Sequence, residues 1–134
     1  MNAIYEGAPE HRHIVSGKRY VCLRDEFLVA KPTLFSEEVK RILVMFGGTD
    51  PLDLSVRLFR YAQRRVKSDP GITFDFVLGP GYSGLLSEKE SEESIEISAD
   101  VVRVSDHMQK ADLAISSQGR TTFELACMSV PTIV

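Results

Sequence analysis

The sequence predicts an α/β fold in which helices cover both faces of a parallel β-sheet, giving three layers. Three observations support this prediction. Short apolar runs alternate with amphipathic stretches from residue 41 onward, the first apolar run (42–46) is uninterrupted, and glycine- or proline-containing turns separate the segments. An uninterrupted apolar run is typical of a strand buried on both faces. Alternation of strands and helices favours right-handed crossovers between parallel strands.

Composition narrows the class of protein further. The chain has 134 residues, 43% hydrophobic and 26% charged, with a formal net charge of −3. This is the length of one domain, and no apolar run approaches the ~20 residues that a membrane-spanning helix needs. The acidic balance argues against nucleic-acid binding. The two cysteines are far apart and the N-terminus has no signal pattern, so we expect a cytoplasmic protein without a disulfide framework or metal site.

The elements are expected in a regular order after a less regular first segment. Residues 1–40 are predicted to be a connector with an incoming strand at Tyr20 to Leu23, and the α/β domain covers 41–134. The predicted strands are 42–46, 72–78, a short one near 95–102, 112–115 and 132–134; the predicted helices are 52–68, 83–91, 105–110 and 120–128. Ser105 is the expected N-cap of the third helix. Because 111–134 carries only three charges, we expect it at the centre of the sheet.

Two loops at the carboxyl ends of predicted strands have the chemistry of a ligand site, and ligands of open α/β sheets bind at this edge. The first loop is Gly47-Gly48-Thr49-Asp50. Its adjacent glycines allow a ligand to approach the backbone, and Thr49 offers a hydroxyl. An ordinary turn, in which Thr49 or Asp50 caps the next helix, remains open. No Gly-Lys-Ser/Thr follows, so the loop is not a P-loop.

The second loop leads from Ser117 through Gly119 directly into a helix. Unpaired N–H groups and the positive end of the helix dipole form an anion site there. The side chains that can add phosphate donors are Arg120, Thr121 and Thr122. Glu124, about one turn into the helix, can accept two hydroxyls of a ribose. The alternative is that Ser117 caps the helix and Glu124 completes the capping arrangement.

Three ordered blocks of the chain resemble a known family. The run ADLAISSQGRTTFELACMSVPTIV resembles the nucleotide-sugar-binding half of GT-B glycosyltransferases of the lipid II-forming N-acetylglucosaminyltransferase type. RILVMFGGTDPLDL and the preceding YVCLRDEF are similar to the branch that contains the UDP-sugar hydrolase of pseudaminic acid biosynthesis and spore coat polysaccharide proteins. The resemblance covers about residues 18–134 and implies a Rossmann-like domain that is half of a GT-B fold, with 1–40 as interdomain linker.

The resemblance also implies a function. The expected role is UDP-sugar binding for a glycosyltransferase or UDP-sugar hydrolase of surface polysaccharide synthesis, with no metal and no cofactor besides the nucleotide-sugar substrate. The catalytic residue is expected in an N-terminal domain that this chain lacks, and the chain stops before the family's terminal helices. The partner is thus that domain, and its absence would favour self-association. His11, His13 and His107 are therefore expected to be surface residues and are not assigned as catalytic.

Site residues follow from the same resemblance. Glu124 would hold the ribose hydroxyls, and backbone groups near Val104 would read the uracil. The residues that would hold the diphosphate are Gly119, Arg120, Thr121 and Thr122; those lining the opposite side of the cleft are Gly47, Gly48 and Thr49. Arg120 and Gln118 depart from the family pattern.

The sequence also leaves two other classes of function to compare with this one. One is a non-catalytic Rossmann-like module that binds a ligand or a partner. The other is nucleic-acid binding through a basic helix face, whose residues are Arg57, Arg60, Arg64, Arg65 and Lys67. A solvated helix face accounts for these charges more simply in an acidic protein.

Overall fold

The computed structural model describes residues 2–3, 15–17 and 20–134. Strands β1 (Asn2–Ala3) and β2 (Val15–Ser16) pair with each other in parallel, apart from the main sheet. The remaining elements are α1 (Glu26–Val29), β3 (Arg41–Met45), α2 (Leu54–Ser68), β4 (Thr73–Val77), a 3₁₀ turn (Glu88–Glu90), β5 (Ile95–Ser98), α3 (Val104–Lys110), β6 (Leu113–Ser116), α4 (Arg120–Cys127) and β7 (Thr132–Ile133). Within the described ranges, no helix has the length and apolarity to cross a membrane.

The main sheet has five parallel strands in the order β5-β4-β3-β6-β7. The chain starts at β3, adds β4 and β5 on one side of it, and then crosses back to add β6 and β7 on the other side. This order confirms a Rossmann-like α/β fold. The expectation that residues 111–134 form the sheet centre is wrong. β3 is central, β6 lies beside it and β7 is at the edge of the described sheet. The return of the chain makes the first strand of the series central.

Successive side chains of each strand point to opposite faces of the sheet, and they pack into two separate hydrophobic cores, one on each face. On one face, Leu43 and Met45 of β3 pack with Val77 and with residues of α1, α3 and α4. On the other face, Phe74 and Phe76 of β4 pack against α2. The ring of Phe59 in α2 meets Phe76 edge-on, with 5.9 Å between centroids. Two cores around one sheet confirm the three-layer arrangement.

Helix α2 begins with a side-chain cap from the preceding turn. The two carboxylate oxygens of Asp50 accept the N–H groups of Leu54 and Ser55 at 3.0 and 2.8 Å. Asp50 therefore performs the capping role, and Thr49 is exposed. The basic side chains on the outer face of α2 are exposed at Arg57, Arg60, Arg64 and Lys67, as a solvated face requires.

Three predicted local features are wrong. Residues 21–24 are irregular rather than a strand, and α1 follows them. The helix predicted over 83–91 reduces to the 3₁₀ turn at Glu88–Glu90. Ser105 does not cap α3, which begins at Val104; instead the Ser105 N–H donates to the Glu26 carboxylate at 3.0 Å. The two residues are 79 positions apart, so local sequence reasoning does not see the contact.

Candidate functional site

A pocket lies at the carboxyl ends of β3 and β6, where the strand order reverses. Open α/β sheets bind their ligands at this position. The pocket has a volume of about 640 Å³ and is lined by the turns after β3, β4 and β6, by the starts of α3 and α4, and by Arg24. Its volume lies within the roughly 300–1,000 Å³ of typical small-molecule sites.

The turn after β3 forms one wall of the pocket. Gly47 and Gly48 line it as predicted, whereas Thr49 is exposed outside the lining and lies against Gly81. Gly47 has a φ of 75°, which L side chains rarely adopt. A Cβ added at Gly79, in the turn after β4, would overlap the backbone of Gly47 and Gly48. The two turns are therefore packed backbone against backbone, and both line the pocket.

The start of α4 forms the facing wall. Gly119 is the N-cap, with a φ of 154°, and no side chain among the described residues caps the helix. The alternative in which Ser117 caps the helix is therefore wrong. Gly119, Arg120 and Thr121 line the pocket, but Thr122 is outside the lining, and its hydroxyl donates to the Gly119 carbonyl at 2.6 Å. The first N–H groups of α4 are available to an anion.

Glu124 lies at the base of this wall and is buried, with 3% of its surface exposed. Both of its carboxylate oxygens accept hydrogen bonds from Arg24: Nε donates to Oε1 at 3.0 Å and Nη2 donates to Oε2 at 3.1 Å. Glu124 therefore lies beside the start of α4 in the pocket, and it forms an ion pair with Arg24 that was not predicted from the sequence. The capping role considered for Glu124 is also wrong, because its carboxylate bonds Arg24.

Arg24 lines the pocket and was not predicted from the sequence as a site residue. Its Nη1 also lies 3.1 Å from Glu26, and its guanidinium stands 5.3 Å from the ring centroid of Phe27. Glu26 in turn accepts the Ser105 N–H at the start of α3. Arg24 lies in the YVCLRDEF block, on which part of the resemblance was based, but no role was predicted for this arginine.

The start of α3 completes the pocket. Val104 lines it and is 6% exposed, and the neighbouring lining residues are Asp100 and Val101. Among the described residues, no three or more His, Cys, Asp or Glu side chains converge as they would around a metal ion.

A second polar cluster lies outside the pocket lining, between α3 and strands β3 and β4. His107 was expected on the surface, but its Nδ1 lies 2.9 Å from Oδ2 of Asp75, which is 1% exposed in the middle of β4. Arg41 Nη2 donates to the same carboxylate oxygen at 2.9 Å and to Glu96 at 2.8 Å. His107 is therefore a half-buried structural partner of Asp75. His11 and His13 lie outside the described residues.

The hydrogen bond with Asp75 raises the pKa of His107, against the opposing effect of burial. Burial alone would raise the pKa of Asp75, but hydrogen bonds from His107 and Arg41 outweigh it, so the pKa of Asp75 is lowered. Both shifts favour the charged pair.

Comparison with curated proteins finds a relative in the archaeon Methanocaldococcus jannaschii, described as an uncharacterized protein. The two are 30% identical over 128 residues, which cover 88% of this chain and 26% of the relative. The chain thus spans about a quarter of that relative's length. No family model matches the chain, and no solved structure matches it.

Proposed function

We propose that this domain binds a UDP-sugar in the crevice between β3 and β6, as the donor-binding half of a cytoplasmic GT-B enzyme of surface polysaccharide synthesis. The observation that carries the proposal is the position of Glu124. It is a buried carboxylate one turn inside a helix whose uncapped N-terminus lines the same pocket. A carboxylate there repels phosphate but accepts hydrogen bonds from hydroxyls, and the N–H groups one turn away can donate hydrogen bonds to phosphate oxygens.

The parts of the ligand would be distributed over the pocket walls. The diphosphate would lie against the N–H groups of Gly119, Arg120 and Thr121. The ribose would lie over Glu124, and the base would face the start of α3 near Val104. The turn at Gly47 and Gly48 would face the sugar side, because its missing side chains leave the backbone open to the ligand.

This arrangement supports departure of a nucleoside diphosphate. Helix N–H groups fixed before the reaction stabilise the negative charge that develops on the leaving diphosphate. The acceptor, whether a sugar hydroxyl or water, would enter from the side facing the second domain. Transfer and hydrolysis would therefore differ in residues of that domain.

Calorimetric titration of the chain with UDP, CDP, GDP and ADP tests the proposal. We expect UDP to bind preferentially, and Glu124→Gln to weaken UDP binding about tenfold, since a charged hydrogen bond to the ribose is lost. Glu93→Gln is the matched control, because Glu93 is exposed and outside the pocket lining. Preference for another nucleotide would contradict the base assignment. Binding of none by the folded chain would favour a non-catalytic module.

A further inference from the structure

We propose that Arg24 is a positioning residue of the nucleotide site: it holds the Glu124 carboxylate in the orientation that accepts the ribose hydroxyls and neutralises its charge beside the diphosphate. This inference rests on the proposed function and deepens it. It adds the segment before the sheet to a site otherwise built from strand-end loops and helix starts.

Arg24 and Glu124 form a bidentate guanidinium–carboxylate pair. Two guanidinium nitrogens each meet a different oxygen of Glu124, at 3.0 and 3.1 Å. This two-point contact fixes the plane of the carboxylate, which a single contact would leave free to rotate. The exposures are unequal: the Glu124 side chain is 4% exposed and that of Arg24 is 40%. The arginine thus reaches the buried acid from the pocket side.

The remaining bonding capacity suits a ribose. An ionised carboxylate has about four acceptor positions, and Arg24 occupies one on each oxygen. One position therefore remains on each oxygen, which matches the two adjacent hydroxyls of a ribose. Without Arg24, an unpaired buried carboxylate would stand one helical turn from a bound diphosphate. Neutralisation by Arg24 removes that repulsion as well as the penalty for burying a lone charge.

Arg24 is itself held in place by its own segment. Its Nη1 contacts Glu26, and the Phe27 ring lies beneath the guanidinium. Phe27 is buried in the core on this face of the sheet, and Glu26 bonds the Ser105 N–H of α3. The position of Arg24 is therefore set by packing and hydrogen bonding on both sides.

The test compares binding of UDP and 2′-deoxy-UDP, measured calorimetrically. Wild type is expected to prefer UDP about tenfold, because the 2′-hydroxyl donates to an oriented carboxylate. Arg24→Lys keeps the positive charge but cannot make the bidentate contact with Glu124, so we expect the preference for UDP over 2′-deoxy-UDP to fall to about twofold or less. In the Glu124→Gln background, Arg24→Lys is expected to change the preference no further, since Arg24 acts through Glu124.

Arg60→Lys is the matched control. Arg60 is exposed on α2 and lies outside the pocket lining, so the preference for UDP should stay within about twofold of wild type. Circular dichroism and thermal unfolding check that each variant is folded. If Arg24→Lys does not fold, Arg24→Gln takes its place with the same expected loss.

Two results would overturn the inference. If Arg24→Lys weakens UDP and 2′-deoxy-UDP equally, Arg24 does not orient the ribose acceptor. If its effect persists in full in the Glu124→Gln background, Arg24 does not act through Glu124. In both cases UDP still binds wild type and the donor-site proposal stands. Absence of UDP binding to folded wild type would instead reject the donor site and, with it, the role of Arg24.

Discussion

Asp75 and Glu124 are both buried acids, and each is paired with an arginine. Their surroundings distinguish a structural acid from a site acid. Asp75 is bonded by Arg41 and His107 and does not line the pocket, so its role is within the sheet. Glu124 lines the pocket, and each of its oxygens accepts a hydrogen bond from Arg24.

The His107–Asp75 pair makes stability depend on pH. The hydrogen bond with Asp75 raises the pKa of His107 in the folded protein above the ordinary value of 6.5. Its stabilising contribution is therefore fully present below the unfolded pKa and is lost as the pH rises through the folded one. As the pH rises above about 6.5, we expect wild type to lose stability relative to His107→Gln, measured by urea denaturation.

The comparison with His107→Gln isolates this contribution from other titrating groups. A stability difference between wild type and the variant that does not change with pH would show that folding does not raise the pKa of His107. Asp106→Asn serves as a control, since Asp106 is exposed and adjoins His107 without contacting Asp75.

At the scale of single residues, sequence reasoning could use only local signals. Glu124 stood out as a single acid within an apolar helix, and the structure places it in the pocket. Its partner Arg24 was not found, because the two residues are 100 positions apart. Separation along the chain also explains why the hydrogen bond from the Ser105 N–H to Glu26 was not predicted. Through this bond, Glu26 rather than Ser105 caps α3.

At the scale of elements, the turn after β4 supports the turn after β3. Gly79 leaves no room for a side chain against the backbone of Gly47 and Gly48. We expect Gly79→Ala to lower the free energy of unfolding by about 1–3 kcal/mol, because the added methyl must push the two turns apart. Urea denaturation measures the change.

Gly71→Ala is the matched control for this prediction. A Cβ at Gly71 would meet its nearest atom, on the flexible Asp69 side chain, at 3.4 Å, which is ordinary contact. Its effect should be within about 0.5 kcal/mol. Equal effects of the two substitutions would mean that the close packing of the two turns contributes nothing specific.

The strands and helices from residue 41 onward were largely predicted because their periodicity is strong. β3 and α2 differ from their predicted bounds by only one or two residues. The failures lie where short-range pattern is weak. The apolar residues from Tyr20 to Leu23 suggested a strand, but the neighbouring Phe27 anchors a one-turn helix to the core instead. The acidic segment after residue 83 lacks the apolar stripe that holds a longer helix to the sheet.

At the scale of the whole molecule, alternation predicted the parallel sheet but not the strand order. Low charge in 111–134 suggested a central position, yet β3 is central and β7 is at the described edge. A strand with few charges is one that is buried between the two helix layers, which does not require it to be the central strand. β6 is buried in this way at a position beside β3. The order β5-β4-β3-β6-β7 creates the crevice on which the proposed function depends.

The most direct test of the proposed nucleotide site is a titration of the ¹⁵N-labelled chain with UDP, followed by amide chemical shifts. We predict the largest shifts in the two facing walls, at the amides of Gly47, Gly48, Gly119, Arg120 and Thr121. Largest shifts on the exposed basic face of α2, or no shifts at a high excess of UDP, would contradict the account.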